Sequence, residues 1–215
     1  MEPLFRAVRY IHAALQRSPP KIALMHRLTL ICHGATGATG HAAFPADEPL
    51  DMARLPVLDA LRTHIRNADH RFTSPLLRAR QSAAALWLDA GAEPALRDLD
   101  LGRWRGQPLA DIAAVGPEAV AVWRTDPEAV PHGGESRADL QARVRAWLAT
   151  CVDARGHTVA VTHPAVIRAA VLHVLGAAPD GFWCLDVEPF SFTDLRCDGR
   201  RWALRAFNVT PVLWG

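Results

Sequence analysis

His33, Ser74 and His163 each fall at or just after a short run of apolar and β-branched residues, and strand ends of that kind are where open α/β sheets gather their ligands. The clearest case is Leu28-Thr29-Leu30-Ile31-Cys32-His33-Gly34. Here a buried strand delivers a histidine, and the glycine after it lets the backbone come close to a ligand. An imidazole presented in this way can act as a nucleophile or move a proton near neutral pH. Arg78, four residues beyond Ser74, adds a planar guanidinium that suits an oxyanion held by two hydrogen bonds. Taken alone, a His-Gly pair after a strand describes an ordinary turn histidine equally well.

The surrounding stretches narrow the choice. Cys32-His33-Gly34-Ala35-Thr36 closes the first strand, and Ser74-Pro75-Leu76-Leu77-Arg78-Ala79-Arg80 leads from a second strand into a helix. Arg97-Asp98-Leu99-Asp100-Leu101-Gly102 lies in a loop, Gly133-Gly134-Glu135-Ser136 precedes another helix, and Val161-Thr162-His163-Pro164 ends a later strand. In type, order and rough spacing over residues 26–208 these resemble the five motifs of the histidine phosphatase superfamily, the phosphoglycerate-mutase-like enzymes. The family's first motif opens with arginine, and this chain has Cys32 in that place.

Phosphoryl transfer to nitrogen needs an unprotonated imidazole in line with the leaving oxygen, and cationic donors on the non-bridging oxygens. The resemblance gives His33 the place of the nucleophile, Arg78 and His163 the phosphate contacts, and Asp98 that of the general acid, with Asp100 as a fallback. Asp98 stands where the family often has glutamate, and shielding from water would raise its pKa toward the working range. Cys32, Thr36 and Ser74 fall on the phosphate side of the site. Glu135 and Ser136 either approach the substrate or, as an acid and a cap at a helix start, serve only the helix. Arg80, Arg103 and Arg105 read as solvated charges. A neutral residue at 32 removes a charged hydrogen bond worth about 1.5 to 3 kcal/mol, where roughly 1.4 kcal/mol is tenfold in rate.

The implied function is hydrolysis of a small phosphorylated metabolite, a phosphomonoester, through phospho-His33, with no cofactor and no metal. The alternative is a catalytically weakened or inactive phosphate-ligand-binding or regulatory protein that keeps the pocket.

Composition agrees with a small ligand. Across 215 residues the formal charge is +2, with no dense Lys/Arg cluster of the kind a nucleic-acid backbone requires. Cys32, Cys151, Cys184 and Cys197 show neither zinc-ligand spacing nor a disulfide framework, so reduced thiols in a cytoplasm are expected. No apolar run reaches membrane-spanning length. Residues 1–24 carry Leu4, Val8, Ile11 and Leu15 at helical spacing with Arg6, Arg9 and Arg17 between them, ended by Ser18-Pro19-Pro20. They read as an extension outside a single domain over residues 25–215, and they lack the uninterrupted apolar core of a signal peptide.

Half the residues are hydrophobic, enough for one full α/β core. Helical periodicity predicts helices over residues 52–67, 76–90, 117–126, 137–151 and 165–175. Ser136 caps the fourth, and Gly91 and Gly176 stop the second and fifth. Strands are expected at 28–31, 71–73 and 158–162, then at 184–187, 191–196 and 202–207, the last two joined by an Asp198-Gly199 turn. The alternation predicts a three-layer α/β/α sandwich whose mostly parallel sheet has an antiparallel edge, the fold the resemblance also implies.

Overall fold

In the first strand, β1 (His26–Cys32), Leu28, Leu30 and Cys32 face one hydrophobic core and Ile31 the other. Both faces are covered, which is why the run is continuously apolar and not alternating. The computed structural model describes residues 26–152 and 154–210, so the expected extension over residues 1–24 lies outside the described residues. The other strands are β2 (His70–Thr73), β3 (Gly91–Ala92), β4 (His157–Thr162), β5 (Phe192–Cys197) and β6 (Trp202–Val209). They form one sheet in the order β3-β2-β4-β1-β5-β6. β3, β2, β4 and β1 run parallel, whereas β5 lies antiparallel on β1 and β6 antiparallel on β5.

The helices are α1 (Gly37–Gly40), α2 (Asp59–Ile65), α3 (Leu77–Ala85), α4 (Leu109–Val115), α5 (Pro117–Thr125), α6 (Arg137–Cys151) and α7 (Pro164–Leu175). On one sheet face, Leu140, Val144, Trp147 and Leu148 of α6 and Ile167 and Val171 of α7 pack against Leu28, Leu30 and Ala160. On the other, Leu61 and Ile65 of α2 and Ala79 and Ala83 of α3 pack against Ile31, Val159 and Val161. This is the expected three-layer sandwich. Ser136 caps α6 as predicted, its Oγ accepting from the Asp139 N–H, and Gly176 ends α7 at φ 61°. No helix among the described residues is long and apolar enough to cross a membrane.

Three expected elements are shorter or absent. The helix predicted over 52–67 is a 3-10 turn, Met52–Arg54, followed by an extended link before α2. Pro56 drives Leu55 out of the helical region, to ψ 123°. The helix predicted over 76–90 stops at Ala85 because Trp87 turns the chain at φ 58°. Gly91 therefore opens β3 and is not a helix stop. The strand predicted over 184–187 is the end of a 3-10 turn, Pro179–Cys184, and a following link.

A polar cluster is buried between the strands. Arg27 pairs with Asp194 at 2.9 Å, Thr29 donates to Asp194, and His157 Nε2 lies 2.8 Å from the Thr29 hydroxyl. Burial, with Arg27 beside it, holds the His157 imidazole down at about 4. Burial pushes the Asp194 carboxyl up, but hydrogen bonds from His64 and Thr29 and the charge of Arg27 outweigh that and hold it at about 2. The unfolded chain therefore binds protons that the fold excludes. The His157 contribution is complete above its unfolded value of about 6.5 and is lost as pH falls through about 4. The Asp194 contribution is lost only below about 3.9, toward 2. The melting temperature is expected to drop steadily from pH 7 to pH 4, and a flat profile by differential scanning fluorimetry would contradict this account.

Candidate active site

β1 carries its hydrogen bonding one residue past the strand, where the His33 N–H donates to the Thr162 carbonyl at 2.9 Å. Gly34 follows because the Phe190 ring packs where a Cβ would stand. The Gly34 N–H donates to Ser82 Oγ at 2.9 Å. His33 Nδ1 lies 2.7 Å from the Gly34 carbonyl, which can only accept, so Nδ1 carries the proton. Nε2 is left with its lone pair, and Arg78 Nε donates to it at 3.2 Å. Burial, then the Arg78 charge, lowers the His33 pKa to about 4. At neutral pH the ring is an unprotonated imidazole held in one tautomer.

Arg78 sits in the first turn of α3 and is 1% exposed. Its three nitrogens serve three segments: Nε reaches His33, Nη1 donates to the Ala46 carbonyl at 2.5 Å, and Nη2 to Asp98 Oδ2 at 2.6 Å. The Asp98 loop is braced from outside. Arg143 Nη1 donates to the Ala95 and Arg97 carbonyls, while its Nε and Nη2 hold both Glu135 oxygens at 2.8 and 2.7 Å. His163 is the N-cap residue of α7. Its Nε2 is 2.7 Å from Ser74 Oγ, its Nδ1 is 3.5 Å from Asp98 Oδ2, and its ring meets that of His33 edge to face at 5.1 Å. Burial keeps His163 neutral, well below its usual pKa.

The structure thus brings His33, Arg78, Asp98, His163 and Ser74 together at the carboxyl edge of the sheet. His33, Asp98 and Thr36 line a cavity of about 260 Å³ that extends from that edge. Ser74 orients His163 and is not among the lining residues. Five of the expected residues need correction. Cys32 is 1% exposed and packed in the core with Leu28 and Leu30, its thiol pushed up by burial; it does not line the cavity, although it lies within electrostatic reach of Asp98, Arg168 and Arg78. Glu135 is committed to Arg143, and Ser136 to capping α6, so neither lines the cavity. Burial pushes the Asp98 carboxyl up, but His163 and Arg78 outweigh it, so it rests as a carboxylate below its ordinary value and not as a stored acid. Asp100 is exposed and accepts from the Gly102 N–H.

Several residues were not foreseen. Arg168, on α7, lines the same cavity, donates through Nε to the Leu185 carbonyl at 2.7 Å, and lies within electrostatic reach of Asp98 and Cys32. The sequence signal was there: a lone guanidinium in the first turns of a helix whose next residues are Ala169, Ala170, Val171 and Leu172. Glu48 has both carboxylate oxygens buried without a hydrogen-bond partner and within electrostatic reach of His33. The far wall is aromatic, from Phe44, Trp123, Phe182 and Trp183. Among the described residues no group of three or more His, Cys, Asp or Glu side chains is placed to hold a metal ion.

A neutral, tautomer-locked imidazole facing a buried guanidinium, with a carboxylate and a second histidine on the same sheet edge, is an arrangement suited to phosphoryl transfer. The chain belongs to the histidine phosphatase superfamily (branch 1), whose family model matches residues 28–210, and is a phosphatase of that type. It is 27% identical over 221 residues to a glucosyl-3-phosphoglycerate phosphatase of Mycolicibacterium vanbaalenii, covering 86% of this chain and 96% of that one. Phosphoserine phosphatase 1 of Hydrogenobacter thermophilus is 27% identical over 166 residues, 74% of this chain and 77% of that one. Among solved structures, a mycobacterial glucosyl-3-phosphoglycerate phosphatase in complex with VO3 superposes with a TM-score of 0.74 at 28% identity, over 86% of this chain and 99% of that one.

Proposed function

We propose that this protein hydrolyses a small phosphomonoester through a phosphohistidine on His33. The observation that carries the reading is the Nε2 lone pair of His33, a residue that lines the cavity, directed at the Arg78 guanidinium. In the first half-reaction Nε2 bonds to phosphorus as the ester P–O bond breaks, and the leaving alcohol takes a proton from Asp98. In the second, water attacks the phosphohistidine, Asp98 accepts its proton, and inorganic phosphate leaves with His33 restored. Arg78 and His163 hold the non-bridging oxygens throughout. A phosphate dianion entering beside Asp98 draws Arg78 onto itself and raises the carboxyl by like charge, so that Asp98 takes up a proton from solvent as the substrate binds and releases it again when inorganic phosphate leaves. The relatives' printed substrates, glucosyl-3-phosphoglycerate and phosphoserine, support a small phosphorylated metabolite as the class. The four cysteines, all free, agree with a reducing compartment such as the cytoplasm.

The second reading, phosphate-ligand binding without turnover, is favoured by Cys32, a neutral core residue where the family's first motif has arginine. Arg168 counters it by bringing a cation to the same cavity from α7. Turnover of p-nitrophenyl phosphate separates the two readings. Arg168→Ala is expected to lower kcat/KM on that ester by about 10- to 100-fold, the value of one charged hydrogen bond. Adding Cys32→Arg to Arg168→Ala is expected to restore at least about tenfold. A folded double variant as slow as the single one would show that Arg168 does not stand in for the missing cation.

A further inference from the structure

Beyond the phosphoryl end, the cavity is built for a ring. Phe44 meets Trp123 at 5.4 Å, Trp123 meets Trp183 at 4.8 Å, and Trp183 meets Phe182 at 5.0 Å, so the four rings form one continuous aromatic wall. They come from three settings: Phe44 from the loop after α1, Trp123 from helix α5, and both Phe182 and Trp183 from the 3-10 turn after α7. The wall is braced from behind, since Trp183 Nε1 donates to the Arg124 carbonyl and the Arg137 guanidinium stands 5.5 Å from the Trp183 ring centre. Leu99, Leu101 and Pro45 complete the lining with small residues.

The titratable side chains that line the cavity are His33, which is neutral, and the charged Asp98 and Arg168, and in the proposed reaction the phosphoryl group engages all three. Thr36 and Thr39 face each other, their hydroxyls 3.3 Å apart. A carboxylate, an ammonium or a polyol on the alcohol half of the substrate would therefore lose its water without gaining a partner, which is costly. One polar group remains unmatched. The Trp123 indole N–H is buried with no acceptor, on a residue that is 7% exposed and lines the cavity.

We infer that the substrate is the phosphomonoester of an aromatic alcohol, a flat one- or two-ring group carrying a hydrogen-bond acceptor for Trp123 Nε1. The volume, about 260 Å³, lies just below the roughly 300 Å³ at which ligand sites usually begin and suits such a ring with its phosphoryl group better than a glycosylated acid. This inference rests on the phosphatase reading for its chemistry, but the ring preference can be measured without turnover.

The test compares benzyl phosphate with glycerol 3-phosphate and O-phosphoserine, all esters of a CH2–O alcohol, so that the leaving groups match. Benzyl phosphate is expected to show a kcat/KM at least about tenfold higher, expressed mainly in KM. Trp183→Ala is expected to shrink that ratio severalfold. Preferred hydrolysis of O-phosphoserine would overturn the ring inference and leave the phosphatase intact. Failure on every ester, p-nitrophenyl phosphate included, would overturn the phosphatase reading. The ring preference is then decided by calorimetric titration of the His33→Ala protein, where benzyl phosphate must bind more tightly than O-phosphoserine, and equal or weaker binding rejects it.

Discussion

His33→Ala is expected to reduce turnover of phosphomonoesters by a factor of at least about 10⁴, the scale seen when a covalent nucleophile is removed. The fold should survive. The side chain makes one hydrogen bond to its neighbour's carbonyl and one with Arg78, and the strand before it is held by backbone pairing to β4 and β5. A change in melting temperature of no more than about 3 °C follows, the size of one kilocalorie in a domain of this length. Brief incubation with a phosphomonoester should leave acid-labile, base-stable phosphate on the wild-type protein and none on the variant. Undiminished turnover by His33→Ala would sink the phosphohistidine mechanism.

Arg78→Ala should cost both activity and stability, because this guanidinium has two duties. It faces His33, the proposed nucleophile, and it neutralises Asp98 in a place where the Arg78 side chain is only 1% exposed. Breaking a buried pair from one side leaves an uncompensated charge, at about 3 to 5 kcal/mol, which corresponds to a fall of roughly 10 °C in melting temperature. Arg78→Ala combined with Asp98→Asn should recover much of that fall while turnover stays low. Arg78→Lys separates charge from geometry. A lysine keeps the positive charge but cannot reach His33, Ala46 and Asp98 at once, so turnover should drop at least about a hundredfold. A lysine variant with wild-type kcat would show that charge alone suffices.

Much of this was legible in the chain. β1, β4, α6 and α7 carry unbroken apolar patterns with capping residues at their ends, and tertiary packing agrees with local preference there. Sequence reading went wrong where periodicity outran the backbone. Leu55, Leu58 and Leu61 keep helical spacing across Pro56, and Leu86 and Leu88 are both buried although Trp87 has already reversed the chain. α4 was missed because Leu109 and Ile112 give too sparse an apolar face. In the site, strand ends pointed to His33, Ser74 and His163, and the resemblance to the family pointed to Arg78, and the structure places the four side by side. The aromatic wall was illegible, since Phe44, Trp123 and Trp183 are brought together only by the folded loops. Arg168 was passed over because a single arginine on an apolar helix also reads as a side chain stretching toward solvent.

The separation between sheet edge and wall has a consequence for how such a protein changes over generations. The groups proposed to handle phosphorus are fixed by strand pairing and by the buried fan of Arg78. The rings inferred to face the alcohol stand on connections outside the sheet, in the segments around Phe44, Trp123 and Trp183. Connections tolerate insertion and replacement far better than a two-sided buried strand does. A lineage can therefore exchange one alcohol for another by rewriting these three segments and never pass through an ancestor that has lost its chemistry.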